Sequence, residues 1–232
     1  MQKNCFLIFS LLLFGKISFG QNLQKMQVWQ DSLLQLGQQV FDNRSEVERI
    51  ESNFLFVKTL VSALKEPNSY FYDFDKLNMI SAVRSPDDKF KIFSWNVPLS
   101  DGSYLYYGAI QFRSGSLKLT PLLDKTFEIS TVDKAIVDQN NWYGAQYYDS
   151  IPFQPNQYIL LGWKGHDASV SKKIIEVFRM DQQGGVQLGA AIFDGNSGMT
   201  RKIFTYAKQA TMLLQYNKNQ RRIEFDHLIP LE

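Results

Sequence analysis

The chain has 232 residues, 44% of them hydrophobic and 14% aromatic, enough for one substantial core or for a compact domain with an added helical piece. Its 25 basic residues face 23 acidic ones, and two of the basic residues, Lys3 and Lys16, lie within the first twenty positions, so the remainder carries no net formal charge. Without a Lys/Arg stripe there is no electrostatic support for nucleic-acid binding or for attraction to an anionic membrane.

Residues 1–20 read as a secretory signal. Lys3 supplies the positive start, Cys5 to Phe14 the short apolar run, and Ser18 and Gly20 the small residues that precede a cleavage point, which is expected after Gly20. A membrane anchor needs about 20 predominantly apolar residues, and Lys16 breaks this run well before that. The expected product is exported, to the periplasm or beyond, with no transmembrane segment. Cys5 is the single cysteine, so the exported chain has no disulfide, thiolate metal site or cysteine nucleophile and must be held by packing.

From Leu23 to Val40, the residues Leu23, Met26, Trp29, Leu33, Leu36 and Val40 recur at helical spacing. Asn43, Arg44 and Ser45 interrupt the pattern, and Ser45 with Glu48 forms a capping box that starts a second helix. Along it Val47, Ile50, Phe54, Val57, Val61 and Leu64 form the apolar stripe, and Pro67 ends it. So short a connection predicts an antiparallel hairpin over residues 21–66. Asn43-Arg44-Ser45 also matches an N-glycosylation sequon, relevant only in a eukaryotic secretory pathway.

Beyond residue 67, aromatic and β-branched residues alternate with polar ones between turns rich in Gly, Asn and Asp, which predicts strands. They are expected at 89–95, 103–112, 116–122, 142–151, 157–163, 172–180, 185–193, 202–206, 211–216 and 221–225, with a short helix around Val132 to Val137. Turns such as Asp101-Gly102, Ser114-Gly115 and Gln183-Gly184-Gly185 are short, so neighbouring strands pair antiparallel. The expected fold class is α+β: a helical hairpin followed by an antiparallel β-meander over residues 67–232.

No catalytic constellation stands out. Gly195-Asn196-Ser197-Gly198 departs from the Gly-x-Ser-x-Gly elbow, and a hairpin turn accounts for it. The only histidine-carboxylate pairs, His166-Asp167 and Asp226-His227, lack a closely spaced third ligand, so no metal or other cofactor is expected. Carboxylates such as Asp73, Asp75, Asp87, Asp88, Glu176, Asp194, Glu224 and Asp226 could serve a glycosidase only if two face each other across a sugar. Trp95, Trp142, Tyr143 and Trp163 are the candidate ligand-binding residues, as a stacking platform for sugars or other flat ligands; the competing reading is core packing.

Phe93-Ser94-Trp95, Asn141-Trp142-Tyr143-Gly144-Ala145 with Tyr147-Tyr148, Leu160-Leu161-Gly162-Trp163 with Ser171 to Val177, and Phe225-Asp226-His227-Leu228 with Pro230 together resemble a family of uncharacterised secreted proteins from Bacteroidota. The resemblance spans about residues 75–230 and implies an exported Gram-negative protein, with no reaction and no catalytic set. Similar sequences continue past the Phe-Asp-His-Leu segment, which implies a shortened carboxyl end and an unpaired edge strand. The functional expectation is a non-enzymatic envelope protein that binds a small molecule, a glycan or another envelope protein. The second reading is a carboxylate-dependent hydrolase acting on an extracytoplasmic substrate such as a glycan.

Overall fold

The computed structural model describes residues 3–42, 45–113, 118–181, 185–193, 198–227 and 229. The sequon residues Asn43 and Arg44, the Ser114-Gly115 and Gln183-Gly184 turns, and Gly195 to Ser197 lie outside the described residues. The chain divides into two compact units, Met1–Leu77 and Asn78–Glu232. The class is α+β: two helices, then antiparallel sheets built mainly from sequential neighbours.

The first unit holds α1, Lys3–Phe41, and α2, Glu46–Leu64. Ser45 caps α2 reciprocally: its hydroxyl accepts the Glu48 N–H and the Glu48 carboxylate accepts the Ser45 N–H at 3.0 Å, which satisfies two amides that a helix start leaves open. The helices run antiparallel, since the Trp29 indole N–H donates to Glu66 at 3.2 Å while the Ser52 hydroxyl reaches Gln39 at the other end. A 3-10 turn, Ser69–Phe71, follows α2, and the Ser69 hydroxyl donates to the Leu64 carbonyl at 2.7 Å.

The buried seam of α1 is largely where the spacing predicts, with Met26, Leu33 and Val40 sealed and Trp29 and Leu36 half-buried, although Leu23 is 46% exposed. That of α2 is not. Asn53, Phe56, Leu60, Ala63 and Leu64 are buried, whereas Val47, Ile50 and Phe54 of the predicted stripe remain 65%, 37% and 58% exposed. The physical reason is that α2 carries two apolar seams of equal period, rotated by about a third of a turn. Periodicity shows that a helix is amphipathic and cannot choose between seams.

The second unit opens with a four-stranded sheet: β1 Ser81–Arg84, β2 Phe90–Pro98, β3 Tyr104–Phe112 and β4 Lys118–Leu123. The second sheet contains β5 Gln146–Gln154, β6 Gln157–Gly165, β7 Val170–Met180, β8 Val186–Leu188 and β9 Arg201–Ala207, with β9 paired to β7. A separate hairpin follows, β10 Leu214–Asn217 with β11 Arg222–Phe225.

Alternation along β6 explains the layering. Tyr158 and Leu160 face one core with Phe90, Ile92, Tyr106 and Ile110 of the first sheet, while Ile159 and Leu161 face another with Phe204, Met212 and Leu214. Both faces of β6 are thereby covered, and the strand reads as a continuous apolar run. The two sheets are also tied by polar bonds: the Tyr147 N–H donates to the Ser94 hydroxyl at 2.9 Å, and the Ser81 hydroxyl donates to the Tyr147 carbonyl.

Three strand-level expectations need correction. β1 was not anticipated, because Ser-Ala-Val-Arg carries little strand signal; its pairing with β2 fixes it. Val132 to Val137 forms a turn and then a bridge from Val137 to Leu188 instead of a helix. Trp142 lies before β5, bridged in parallel to Asp124, where Gly144 allows a close approach: a Cβ there would meet the Tyr106 Cβ at 2.4 Å.

Candidate functional site

A few ionisable side chains of the β unit, among them Lys164, Glu176 and Arg201, lie inside it. Glu176 on β7 and Arg201 on β9 are register partners, both fully buried, and the Arg201 Nε donates to the Glu176 carboxylate at 2.7 Å. The Tyr147 hydroxyl donates to the other carboxylate oxygen at 2.5 Å and itself accepts the Trp142 indole N–H at 2.9 Å. Arg201 Nη1 and Nη2 each donate to a carbonyl, of Val132 and of Leu188. Burial, and then the Glu176 charge, push the Tyr147 phenol well above its ordinary pKa, so it stays a donor. Every arm of this network ends on protein, which is the requirement for a buried charge pair.

A second buried cation lies nearby. The Lys164 ammonium, on β6, donates to the Gly144 carbonyl at 2.5 Å and to the Thr126 hydroxyl at 2.9 Å, and lies 4.0 and 4.6 Å from the ring centres of Tyr106 and Tyr143. Asp124 completes the shell by accepting from the Thr126 hydroxyl and the Gly144 N–H. Burial pulls Lys164 down to about 8, against the opposing pull of Asp124, and pushes the Tyr143 phenol up to about 12. A lysine of that pKa has the proton affinity of a general base or Schiff-base former. With only 2% exposure and an ammonium enclosed by a carbonyl, a hydroxyl and two rings, it offers a substrate no approach. Its role is structural.

The lowered pKa has a measurable consequence. Unfolded, Lys164 titrates near 10.5 and folded near 8, so between these values the unfolded chain holds the extra proton and stability rises with pH. Below about pH 8 the burial penalty is fully present; toward pH 10 it is relieved by up to about 3 kcal/mol. Urea unfolding of Lys164→Met, followed by tryptophan fluorescence, is expected to show a clearly shallower rise between about pH 8 and 10 than the parent chain. Equal slopes would refute the assignment. Lys172 and Lys173, also lowered by burial, supply the residual slope.

The four aromatic candidates are placed as follows. Trp95, Trp142 and Tyr143 are buried, at 3%, 0% and 1% exposure, and Trp163 is half-buried. Trp95 stacks on Tyr107, Trp142 meets Tyr106 edge-on, and Trp163 meets Tyr104 edge-on while its indole N–H donates to the Tyr206 hydroxyl at 3.1 Å. Trp142 and Tyr143 share the core between the sheets; Trp95 points from the opposite face of β2 to Phe90 and Ile92. They do not make one open stacking face.

Two carboxylates, Glu128 and Asp138, line an open cleft of about 500 Å³ in this unit. Glu128 pairs with Lys125 at 2.6 Å, and Asp138 accepts from the Asn140 N–H and the Asn141 amide, so both hold their own loops. Among the described residues, no three His, Asp or Glu side chains form a group that could hold a metal. His166 is exposed in its turn, and burial, with Lys172 next, pulls its pKa down.

Both units carry exposed apolar residues, Phe127, Ile136 and Phe153 among those of the β unit, but on α2 they fall at helical spacing. Val47, Ile50 and Phe54 form an exposed strip on α2, rimmed by Glu51 and Lys58, with the Lys58 ammonium 4.2 Å from the Phe54 ring centre. The same unit contains an apolar cavity of about 510 Å³ lined by Asn22, Leu23, Met26, Asn68, Phe71 and Tyr72. No family model, curated protein or solved structure matches the chain. Geometry and chemistry alone therefore carry the functional argument. No helix among the described residues is long and apolar enough to cross a membrane. The 3-4 spacing marks these residues as an apolar stripe in the sequence, and packing decides whether it is covered or left open to a partner.

Proposed function

We propose that this is an exported, non-enzymatic binding protein of the cell envelope, in which the exposed face of α2 is the binding surface. One observation carries the reading: Val47, Ile50 and Phe54 stand together in solvent on a well-capped helix, where an apolar strip is expected to mark an interaction site. The charged and aromatic groups from which a catalytic centre would be built are engaged in internal bonds of the β unit. The carboxylates of its cleft, Glu128 and Asp138, likewise hold their own loops. The signal-like first twenty residues support export.

The test pairs location with binding. Chain recovered from the envelope fraction should begin at Gln21 on amino-terminal sequencing; a cytoplasmic chain that retains Met1 contradicts export. Immobilised chain should retain an envelope component that is lost with Ile50→Ser plus Phe54→Ser and kept with Trp163→Ala. The reverse pattern would move the site to the β unit.

A further inference from the structure

Resting on the reading of α2 as a binding surface, we infer that its occupant is a second copy of this chain, paired antiparallel along α2. The outward seam, Val47, Ile50, Phe54, Val57, Val61 and Leu64, has an unbroken 3-4-3-4-3 spacing, which is the a and d pattern of a heptad. The hairpin covers this seam only toward its end: Leu64 is buried and Val57 and Val61 are half-buried, while Val47, Ile50 and Phe54 are exposed. A seam of this period is complemented by another helix of the same period, knobs into holes, and a second α2 is one.

Charge then selects the copy and its direction. Glu51 and Lys58 follow the d residues Ile50 and Val57, so they occupy e positions, which face each other in an antiparallel pair. A two-fold axis near residue 55 sets Phe54 opposite Val57 of the second copy, Ile50 opposite Val61, and Glu51 across from Lys58, twice over by symmetry. Sliding the pair one heptad toward the start of α2 brings Glu51 against its own counterpart, a like-charge contact. A parallel pair sets e against g: Glu51 would meet Glu46 of the second copy, a like-charge contact, and Lys58 would meet Asn53, which is uncharged and buried in the hairpin. The opposite signs at 51 and 58 thus favour one orientation and one register.

Sedimentation of the mature chain, residues 21–232, over a dilution series tests this, with circular dichroism confirming the fold of each variant. The expected result is a reversible dimer that Phe54→Asp weakens at least about 30-fold, as for the loss of a central apolar anchor. Glu51→Lys and Lys58→Glu should each weaken it about 3- to 10-fold by creating two like-charge contacts. The combined Glu51→Lys/Lys58→Glu chain should recover parental affinity, because the pairs are re-formed with signs exchanged. A monomer throughout, a dimer indifferent to Phe54→Asp, or a combined variant no tighter than the single ones overturns the inference. A monomer whose envelope partner is still lost with Ile50→Ser plus Phe54→Ser would leave the binding role standing and remove only the second copy as occupant.

Discussion

Replacing Arg201 by Met should destabilise the β unit by about 3–5 kcal/mol, the cost of stranding a buried carboxylate. Arg201 and Glu176 have no side-chain exposure, so the carboxylate left behind has no direct access to bulk water. The Tyr147 hydroxyl alone would remain on the Glu176 carboxylate, and the Val132 and Leu188 carbonyls would lose a donor. Removing both charges, as Glu176→Leu with Arg201→Met, should cost substantially less than the single change, because an apolar pair of similar volume avoids the desolvation of two ions. Urea unfolding in a Trp29→Phe background, so that fluorescence reports Trp95, Trp142 and Trp163, measures both. A loss below about 1 kcal/mol for Arg201→Met would mean that the site is wet and the pair is not sealed.

Trp142→Ala should cost about as much, 3–5 kcal/mol on the scale of large aromatic truncations. The ring is fully buried, meets Tyr106 and Tyr147, and closes over Gly108, where an added Cβ would come within 3.2 Å of it. Trp142→Phe should be milder, since it keeps most of the volume and leaves the Tyr147 hydroxyl still donating to Glu176. The same unfolding experiment distinguishes core from platform. A Trp142→Ala chain of unchanged stability that had lost affinity for a flat ligand would restore the platform reading; a folded chain near its stability limit is the expected outcome.

The residues that disclosed the fold were those with local consequences. Ser45 and Glu48 lie three apart and announce a helix start whatever surrounds them, and the aromatic and β-branched runs from Tyr104 to Phe112 and from Gln157 to Trp163, bounded by turns, mark strands without reference to their partners. What stayed hidden depended on pairing. Glu176 and Arg201 meet because β9 passes β8 and returns to β7, a choice with no local signature. A hint was present: Glu176 interrupts the apolar run from Ile174 to Phe178, and a carboxylate in such a run needs a buried cation. Likewise Val47, Ile50 and Phe54 were legible as an apolar seam, but whether that seam or the one through Phe56 and Leu60 meets α1 is decided by packing. The aromatic residues were read as either core or platform because strand patterning permits both, and three of the four are in the interior.

The central claim is that this protein binds through α2 and not through its β unit. A photo-reactive amino acid placed at position 54, and separately at position 163, in chain expressed in living cells tests it most directly. Irradiation is expected to give a discrete higher-mass adduct from position 54, of twice the chain mass if the occupant is a second copy, and none from position 163. Adducts from position 163 with position 54 silent would contradict the account.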